Sequence, residues 1–337
     1  MNVFEHNLSL LQKDLEQKKS IILFLGAGIN GKEMSWPALM NDLFIKAIRI
    51  GFPEGQTSEN EWKKIDSLSS TIKASIIKNV FKDAYIPLIQ NFLYSKITSE
   101  KLKAALVKCQ RIENNDDQQE DDDTKQFHTL FCLAKIIIAC PYIKAVVTYN
   151  YDNFLSQSIK YIVENKDFFF TRQQQERIER FKKNKHFIRD VSFLEESEGP
   201  TKEEILIYHV HGYIPHPSEV KPKNGSQIIL SLDEVNESTR DVYSWQNSTQ
   251  LHFLNNYVSV WAGISFEGQN EQRMLYYTSK YGNNERIYYL NVEKDGFNKY
   301  HEIMCSFLET SGFTLLYPML SFNELYDKVA KLFVNQK

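Results

Sequence analysis

Three groups of residues have the types and spacing to do chemistry: Gly26-Ala27-Gly28 with Asn30, Thr148-Tyr149-Asn150-Tyr151-Asp152, and His209-Val210-His211-Gly212. Glycine has no Cβ, so a Gly-Ala-Gly turn lets the backbone approach a pyrophosphate closely, and the next helix N-terminus adds a favourable field. An amide such as Asn150 orients a water or a ribose hydroxyl without adding charge. An imidazole such as His211 accepts a proton near neutral pH, because an unperturbed one titrates near ~6.5. Asp152 is suited to fixing the Asn150 loop or a helix N-terminus. The apolar run from Ser20 to Leu25 reads as a strand delivering the glycines, and the combination points to a bound dinucleotide.

The glycine segment meets two competing patterns. Gly26, Gly28 and Gly31 fit G-x-G-x-x-G, while Gly26 to Lys32 fit G-x-x-x-x-G-K. The second pattern needs Ser or Thr next to hold Mg²⁺, and the chain has Glu33, with Pro37 close behind where the helix should run on. Ile228 to Glu234 nevertheless resemble a strand ending in metal-binding acids. A dehydrogenase needs a ribose-binding acid about 20 residues past the glycines, at the end of a second strand. Ala38 to Ile50 read as a helix instead, so neither fingerprint fits fully.

The positioning elements follow from periodicity. Phe4, Leu8, Leu11 and Leu15 mark an amphipathic first helix. Helical periodicity over Ile72 to Ile97 is broken near Pro87, and Phe127 to Ala139 form another apolar helix, so residues 52–140 read as a helical insertion. Between its helices, Glu113 to Asp123 hold seven acids and no apolar residue, the pattern of a mobile loop. Strands are then expected at Ile143–Thr148, Ile205–His211, Val258–Ile264, Arg286–Val292 and Phe313–Tyr317. Helices are expected at Asn153–Val163, Glu271–Tyr281, Lys299–Ser311 and from Phe322, with residues 165–204 as a second insertion. Such alternation predicts a parallel sheet with helices on both faces, one domain over residues 1–337, and ligands beyond the carboxyl ends of the strands.

Composition removes several classes. With 42% apolar residues the chain has ample material for a core, and a net charge of −3 gives no global pull toward nucleic acid or an anionic membrane. Cys109, Cys132, Cys140 and Cys305 form no C-x-x-C pair, which argues against a disulfide framework or a structural zinc site and fits a reducing cytoplasm. No apolar run approaches the ~20 residues that span a bilayer.

In order along the chain, the strand ends read Gly26-Ala27-Gly28, Thr148-Tyr149-Asn150-Tyr151-Asp152, His209-Val210-His211-Gly212, Gly263-Ile264-Ser265 and Leu290-Asn291-Val292-Glu293. In this set the chain resembles the sirtuin-like (SIR2-like) superfamily, with its GAG, T-x-N-x-D, H-G, G-x-S and N-x-E patterns. The resemblance implies a Rossmann-like NAD-binding domain with a smaller module built from insertions. It also implies Asn150 and His211 as the catalytic pair. Gly26, Ala27, Gly28, Asn30, Asp152, Gly263, Ser265, Asn291 and Glu293 are the implied dinucleotide contacts, with Ser265 and Asn291 reaching adenosine hydroxyls or phosphates. Two departures set the chain apart from the deacetylases: the four zinc cysteines are absent, and Ser35-Trp36-Pro37-Ala38-Leu39 replaces their Pro-Asp-Phe-Arg stretch. Tyr149 also stands where they carry glutamine. The chain is similar to the bacterial SIR2-like NAD-hydrolysing effectors of antiphage defence.

Simpler roles compete at several of these positions. Asn150 alone would suit a helix N-cap. His209 and His211 alternate along a strand and so share a face, which raises a metal site, but a third ligand at recognisable spacing is missing. Gly263-Ile264-Ser265-Phe266-Glu267 falls short of a nucleophile elbow, because its second glycine, Gly268, comes one place late. The basic stretch from Arg177 to Arg189 is diluted by Glu176 and Glu179 and reads as a solvated helix face. The tyrosines Tyr276, Tyr277, Tyr281, Tyr288 and Tyr289 suit an interface or ordinary packing equally.

The expectation is an NAD glycohydrolase, independent of metal, that releases nicotinamide and ADP-ribose in a bacterial cytoplasm as a defence effector. Cleaving the nicotinamide–ribose bond releases a neutral group from a cationic centre, so help is needed by an oxocarbenium-like sugar and a poor nucleophile, water. The alternatives are a catalytically silent NAD or ADP-ribose sensor, a zinc-independent deacylase and, last, a P-loop NTPase. No separate sensor domain is evident, so control is expected from homo-oligomerisation or an operon-encoded protein partner, through residues 52–140 or 165–204.

Overall fold

A computed structural model of the chain describes residues 3–31, 36–51, 64–65, 67–117, 121–172, 175, 178–179, 187–192, 204–219, 227–241, 243–266, 268–281, 286–291, 299–317 and 321–334. Seven strands form one all-parallel sheet: β1 (Ile21–Leu25), β2 (Ile143–Thr148), β3 (Ile188–Val191), β4 (Ile205–His209), β5 (Val258–Ala262), β6 (Ile287–Leu290) and β7 (Phe313–Leu316). Their order is β3-β4-β2-β1-β5-β6-β7. β1 and β5 are buried at every position, as strands covered on both faces must be, which is why Ile-Ile-Leu-Phe-Leu shows no polar alternation. The chain passes from β1 to β2 and on to the edge strand β3, steps back to β4, then crosses to β5 and winds the other way through β6 and β7. The crevice of this α/β fold is therefore expected at the switch point between β1 and β5, beyond the carboxyl ends of the strands.

The helices are α1 (Val3–Glu16), α2 (Trp36–Gly51), α3 (Ser70–Phe81), α4 (Tyr85–Lys96), α5 (Ser99–Glu113), α6 (Asp122–Ala139), α7 (Phe154–Glu164), α8 (Lys166–Phe169), α9 (Leu232–Arg240), α10 (Trp245–Asn256), α11 (Gln269–Tyr281), α12 (Lys299–Thr310) and α13 (Phe322–Val334). Two cores result from the alternation along the strands. Ile21, Leu23 and Leu25 face a large core with α1, α6, α7 and α13, while Ile22 and Phe24 face a smaller one with α10, α11 and α12. In the smaller core Phe24 stacks on Trp261 at 4.6 Å between ring centroids. α6 is buried around nearly its whole circumference from Phe127 to Ile138, which fits its apolar composition.

Several expected elements shift. The break in the 72–97 helix falls at residues 82–84, and Pro87 sits in the first turn of α4, where a missing N–H costs nothing. Ile228–Leu230 form no strand: Ser231 and Glu234 close a capping box at the start of α9, and Asp233 and Glu234 both pair with Lys78. The stretch 165–204 contains the edge strand β3, too short and too polar to show a periodicity. Part of the acidic 113–123 stretch is ordered by local bonds, since Asp121 caps α6 by accepting from the Thr124 N–H at 2.8 Å. Among the described residues, no helix is long and apolar enough to cross a membrane.

Candidate active site at the switch point

The glycines at the ends of β1 and β5 lock two loops together. The Gly26 N–H donates to Ala262 O and the Gly28 N–H to Gly263 O, each at 2.9 Å. A Cβ on Gly26 would lie 2.5 Å from Gly263 O, and one on Gly28 would lie 2.9 Å from Gly263 Cα. Gly263 has φ +67°, and a Cβ there would stand 2.6 Å from the Ile29 nitrogen. Here backbone crossing backbone already requires glycine. The segment that follows, Ala27–Asn30, is a single 3₁₀ turn, too short to supply a helix field of its own.

Two amides end this crevice with their acceptor oxygens unused. Asn30 is buried, and its Nδ2 donates to Asp152 Oδ2 at 2.8 Å. Asn150 is buried, and its Nδ2 donates to Gly26 O at 3.3 Å. Both nitrogens being committed, Oδ1 of each is turned elsewhere, and neither has a hydrogen-bond partner. A buried acceptor left unmade costs about 1–3 kcal/mol, so the pair marks a place for a donor from outside the chain. Asp152, not Asn150, serves the following helix: its Oδ1 accepts from the Phe154 N–H at 3.1 Å. Both Asp152 oxygens are thereby used inside the protein, and the residue orients Asn30 and α7.

The two histidines do not share a face, because β4 ends at His209 and His211 lies in the turn beyond it. His209 is buried between Asn150 O, 2.9 Å from Nδ1, and Asp190 Oδ1, 2.9 Å from Nε2. His211 is half-buried and bracketed by aromatic rings, Tyr149 edge-on at 4.9 Å and Tyr151 nearly parallel at 6.3 Å. Burial pushes its imidazole down to about 4, well below the near-neutral value read from the sequence. His211 is therefore neutral across the physiological range.

The other expected contacts scatter. Ser265 is exposed after β5, and Asn291 donates from Nδ2 to the Tyr289 hydroxyl at 3.2 Å. Glu293 lies outside the described residues, as do Glu33 and most of the basic stretch before Arg189. Two residues missed by the sequence reading have buried atoms without partners: the Tyr85 hydroxyl on α4 and Glu271 Oε2 on α11. Burial holds the Tyr151 hydroxyl protonated, and the proximity of Tyr85 and Glu271 adds to this. Nothing in the spacing marks Tyr85, whereas Glu271 is marked only as an acid in the first turn of the helix after β5.

A separate trio, His128 and Cys132 on α6 with Asp327 on α13, has the ligand types of a metal centre. Asp327 Oδ1 lies 3.1 Å from His128 Nε2, and the Cys132 thiol donates to the same oxygen at 3.6 Å. The sulfur is almost equidistant from the ring nitrogens, 3.7 Å from Nδ1 and 3.9 Å from Nε2. The three donor atoms lie within 4.8 Å of one another, and here they form a hydrogen-bonded contact between α6 and α13.

An open parallel sheet with a reversal of strand order and acceptors at the carboxyl ends of its central strands defines a Rossmann-like α/β protein. The family model for the SIR2-like domain matches residues 144–316, just over half of the chain, and the chain belongs to that family. The glycine turn after β1 precedes the matched span and joins it through the pairing of β1 with β2 and β5. No curated protein matches the chain. SIR2-like domains use NAD, and the residues here fit it, since ribose hydroxyls are the donors that Asn30 Oδ1 and Asn150 Oδ1 lack.

Proposed function

We propose that the protein is an NAD glycohydrolase whose site is built on Asn150 and His211. The carrying observation is Asn150 Oδ1, a buried acceptor without a partner, on the residue between the two tyrosines that bracket His211. NAD⁺ supplies a C1′–N bond whose electron pair leaves with nicotinamide, and water replaces it to give ADP-ribose and one proton. Asn150 orients the incoming water or the neighbouring hydroxyl through Oδ1, and its geometry is fixed by Gly26 on one side and His209 on the other. His211 takes the proton from that water. Its low basicity is sufficient, because a water that bonds to a cationic carbon becomes strongly acidic. The tyrosine rings exclude bulk solvent from the imidazole.

The test is chromatography of the products after incubating the purified chain with NAD⁺. Stoichiometric nicotinamide and ADP-ribose support the reading; binding without turnover would replace it with a silent sensor, a role favoured by the low basicity of His211. Consumption of an acylated peptide in step with NAD⁺ would point to a deacylase. Turnover is proposed to be metal-independent, and loss of activity on chelation would redirect attention to His128, Cys132 and Asp327. A role in depleting cytoplasmic NAD during antiphage defence, under control of self-assembly or a partner protein, belongs to the same proposal. High turnover by a dilute, demonstrably monomeric chain would refute that control.

A further inference from the structure

Asn150 is fixed at three atoms. Its backbone N–H donates to Thr148 Oγ1 at 3.1 Å, its Nδ2 donates to Gly26 O at 3.3 Å, and its carbonyl oxygen lies 2.9 Å from His209 Nδ1. Of the three partners only His209 is ionisable. A carbonyl oxygen has no proton to give, so Nδ1 must carry one. On the other side of the ring, Nε2 lies 2.9 Å from Asp190 Oδ1, an oxygen that already accepts from the Ser156 hydroxyl at 2.6 Å. A neutral imidazole has one N–H and one lone pair, whereas here both ring nitrogens face acceptors, and only the imidazolium donates to both. The pair is enclosed, with the His209 and Asp190 side chains 1% and 10% exposed. The surroundings suit a cation. Asp190 comes from β3, Asp152 follows β2, and the Tyr213 ring lies 4.7 Å from the imidazole between centroids. Burial raises the Asp152 carboxyl, and a positive His209 opposes that rise. Tyr213 donates its hydroxyl to Glu219 Oε2 at 2.7 Å, and Tyr94 of α4 donates to Ile214 O at 2.7 Å. Arg189, the next residue of β3, pairs with Glu204 instead.

We propose that His209 is a buried imidazolium paired with Asp190, and that its charge holds Asn150 in position for the reaction, an inference that rests on the NAD reading above for its catalytic consequence. His209 is then a positioning residue that acts through the Asn150 carbonyl and touches no reacting atom. A charge-assisted hydrogen bond is about twice as strong as a neutral one, and that margin is what the second ring proton gives the Asn150 loop. Loss of the proton sets a lone pair against a carboxylate, which drives the ring off Asp190 and away from the Asn150 carbonyl. Turnover therefore falls once the pH is high enough to remove it. His211 is already neutral there and adds no such limb.

The ring nitrogens are read by long-range proton–nitrogen correlation NMR on the full chain with labelled histidine. The His209 signals are assigned by their loss in His209→Gln and by their shift in Asp190→Asn. In the free protein at neutral pH both nitrogens should show the shifts of protonated nitrogens. One bare nitrogen, with the proton on Asp190 or absent, overturns the proposal. Raising the pH should remove the proton and lower kcat in step, with KM little changed. Asp190→Asn, which keeps the shape and an oxygen for Ser156, should leave His209 singly protonated at neutral pH and cut kcat about three- to tenfold. A merely structural role would lower the melting temperature without tying kcat to the ring proton, so a kcat that ignores the titration seen by NMR also overturns the proposal. If both nitrogens are protonated yet no NAD⁺ is turned over at any pH, the NAD reading falls and the charged His209 stands.

Discussion

His209 and His211 are two residues apart and have opposite surroundings. His209 closes β4 and has an acceptor at each ring nitrogen, Asn150 O and Asp190 Oδ1, while Asp190 also accepts from Ser156 Oγ at 2.6 Å. His211 lies just past the strand among aromatic rings, and burial lowers its basicity. One histidine spends its polarity holding the loop that carries Asn150; the other is the one assigned the proton transfer in the proposed reaction. The difference is made by where the strand ends. Inside the sheet a side chain meets β3 and its Asp190, whereas two residues further His211 meets the rings of Tyr149 and Tyr151.

The largest effects that would break this comparison are catalytic. Asn150→Ala or His211→Ala should lower nicotinamide release about 10²–10⁴-fold, while leaving circular dichroism and the melting temperature near wild type. Either variant, shown folded and turning over normally, removes that residue from the proposed reaction.

On the supporting side, Asp190→Ala should act through the fold. It strips the carboxylate from a buried imidazole and leaves the Ser156 hydroxyl unpaired, so a loss of about 3–5 kcal/mol is expected from denaturant unfolding. Turnover should fall only as far as the Asn150 loop loosens. If Asp190→Ala were as stable as wild type but inactive, the division between support and chemistry would be wrong.

The pH dependence sharpens the same contrast. The His211 imidazole is harder to protonate in the folded chain than in the unfolded one. Between about 6.5 and 4 the unfolded state therefore binds more protons, and stability falls as the pH drops through that window, by about 3 kcal/mol at most. Above it the contribution is fully present. His211→Ala should remove this component of the acid destabilisation, and unfolding of both proteins at pH 7 and pH 4.5 would measure it. Equal pH sensitivity would mean that His211 does not set it.

Much of the central fold was legible in the sequence, because β1, β2 and β5 are apolar runs bounded by turns and the helices around them carry a clear period. The alternation also put the site beyond the carboxyl ends of the strands, but the strand order that makes the switch point was not legible. β3 was not legible: Ile188–Val191 has four residues, two of them charged, and only its pairing with β4 makes it a strand. The glycines read as places of close backbone approach, but sequence cannot show that Gly263 crosses over Gly26 and Gly28. Asn30 and Asp152 were picked out as separate contacts, yet they are one unit joined across 122 residues. Burial of His211, and with it the weak basicity, depends on rings from the neighbouring strand end that no local pattern ties to it.

The smallest expected effect concerns Tyr85, which decides whether the helical region before β2 lies with the support or with the chemistry. Its hydroxyl is buried without a partner and lies near Tyr151. Tyr85→Phe deletes only that oxygen. If the hydroxyl serves nothing in the free protein, its removal relieves a desolvation cost, and stability should stay level or rise by up to about 1 kcal/mol. If the same hydroxyl meets the dinucleotide, KM should rise a few-fold while the free protein is no less stable. That split, weaker substrate use without weaker folding, would place α4 on the side of His211. A loss of stability with unchanged KM would instead place it with His209.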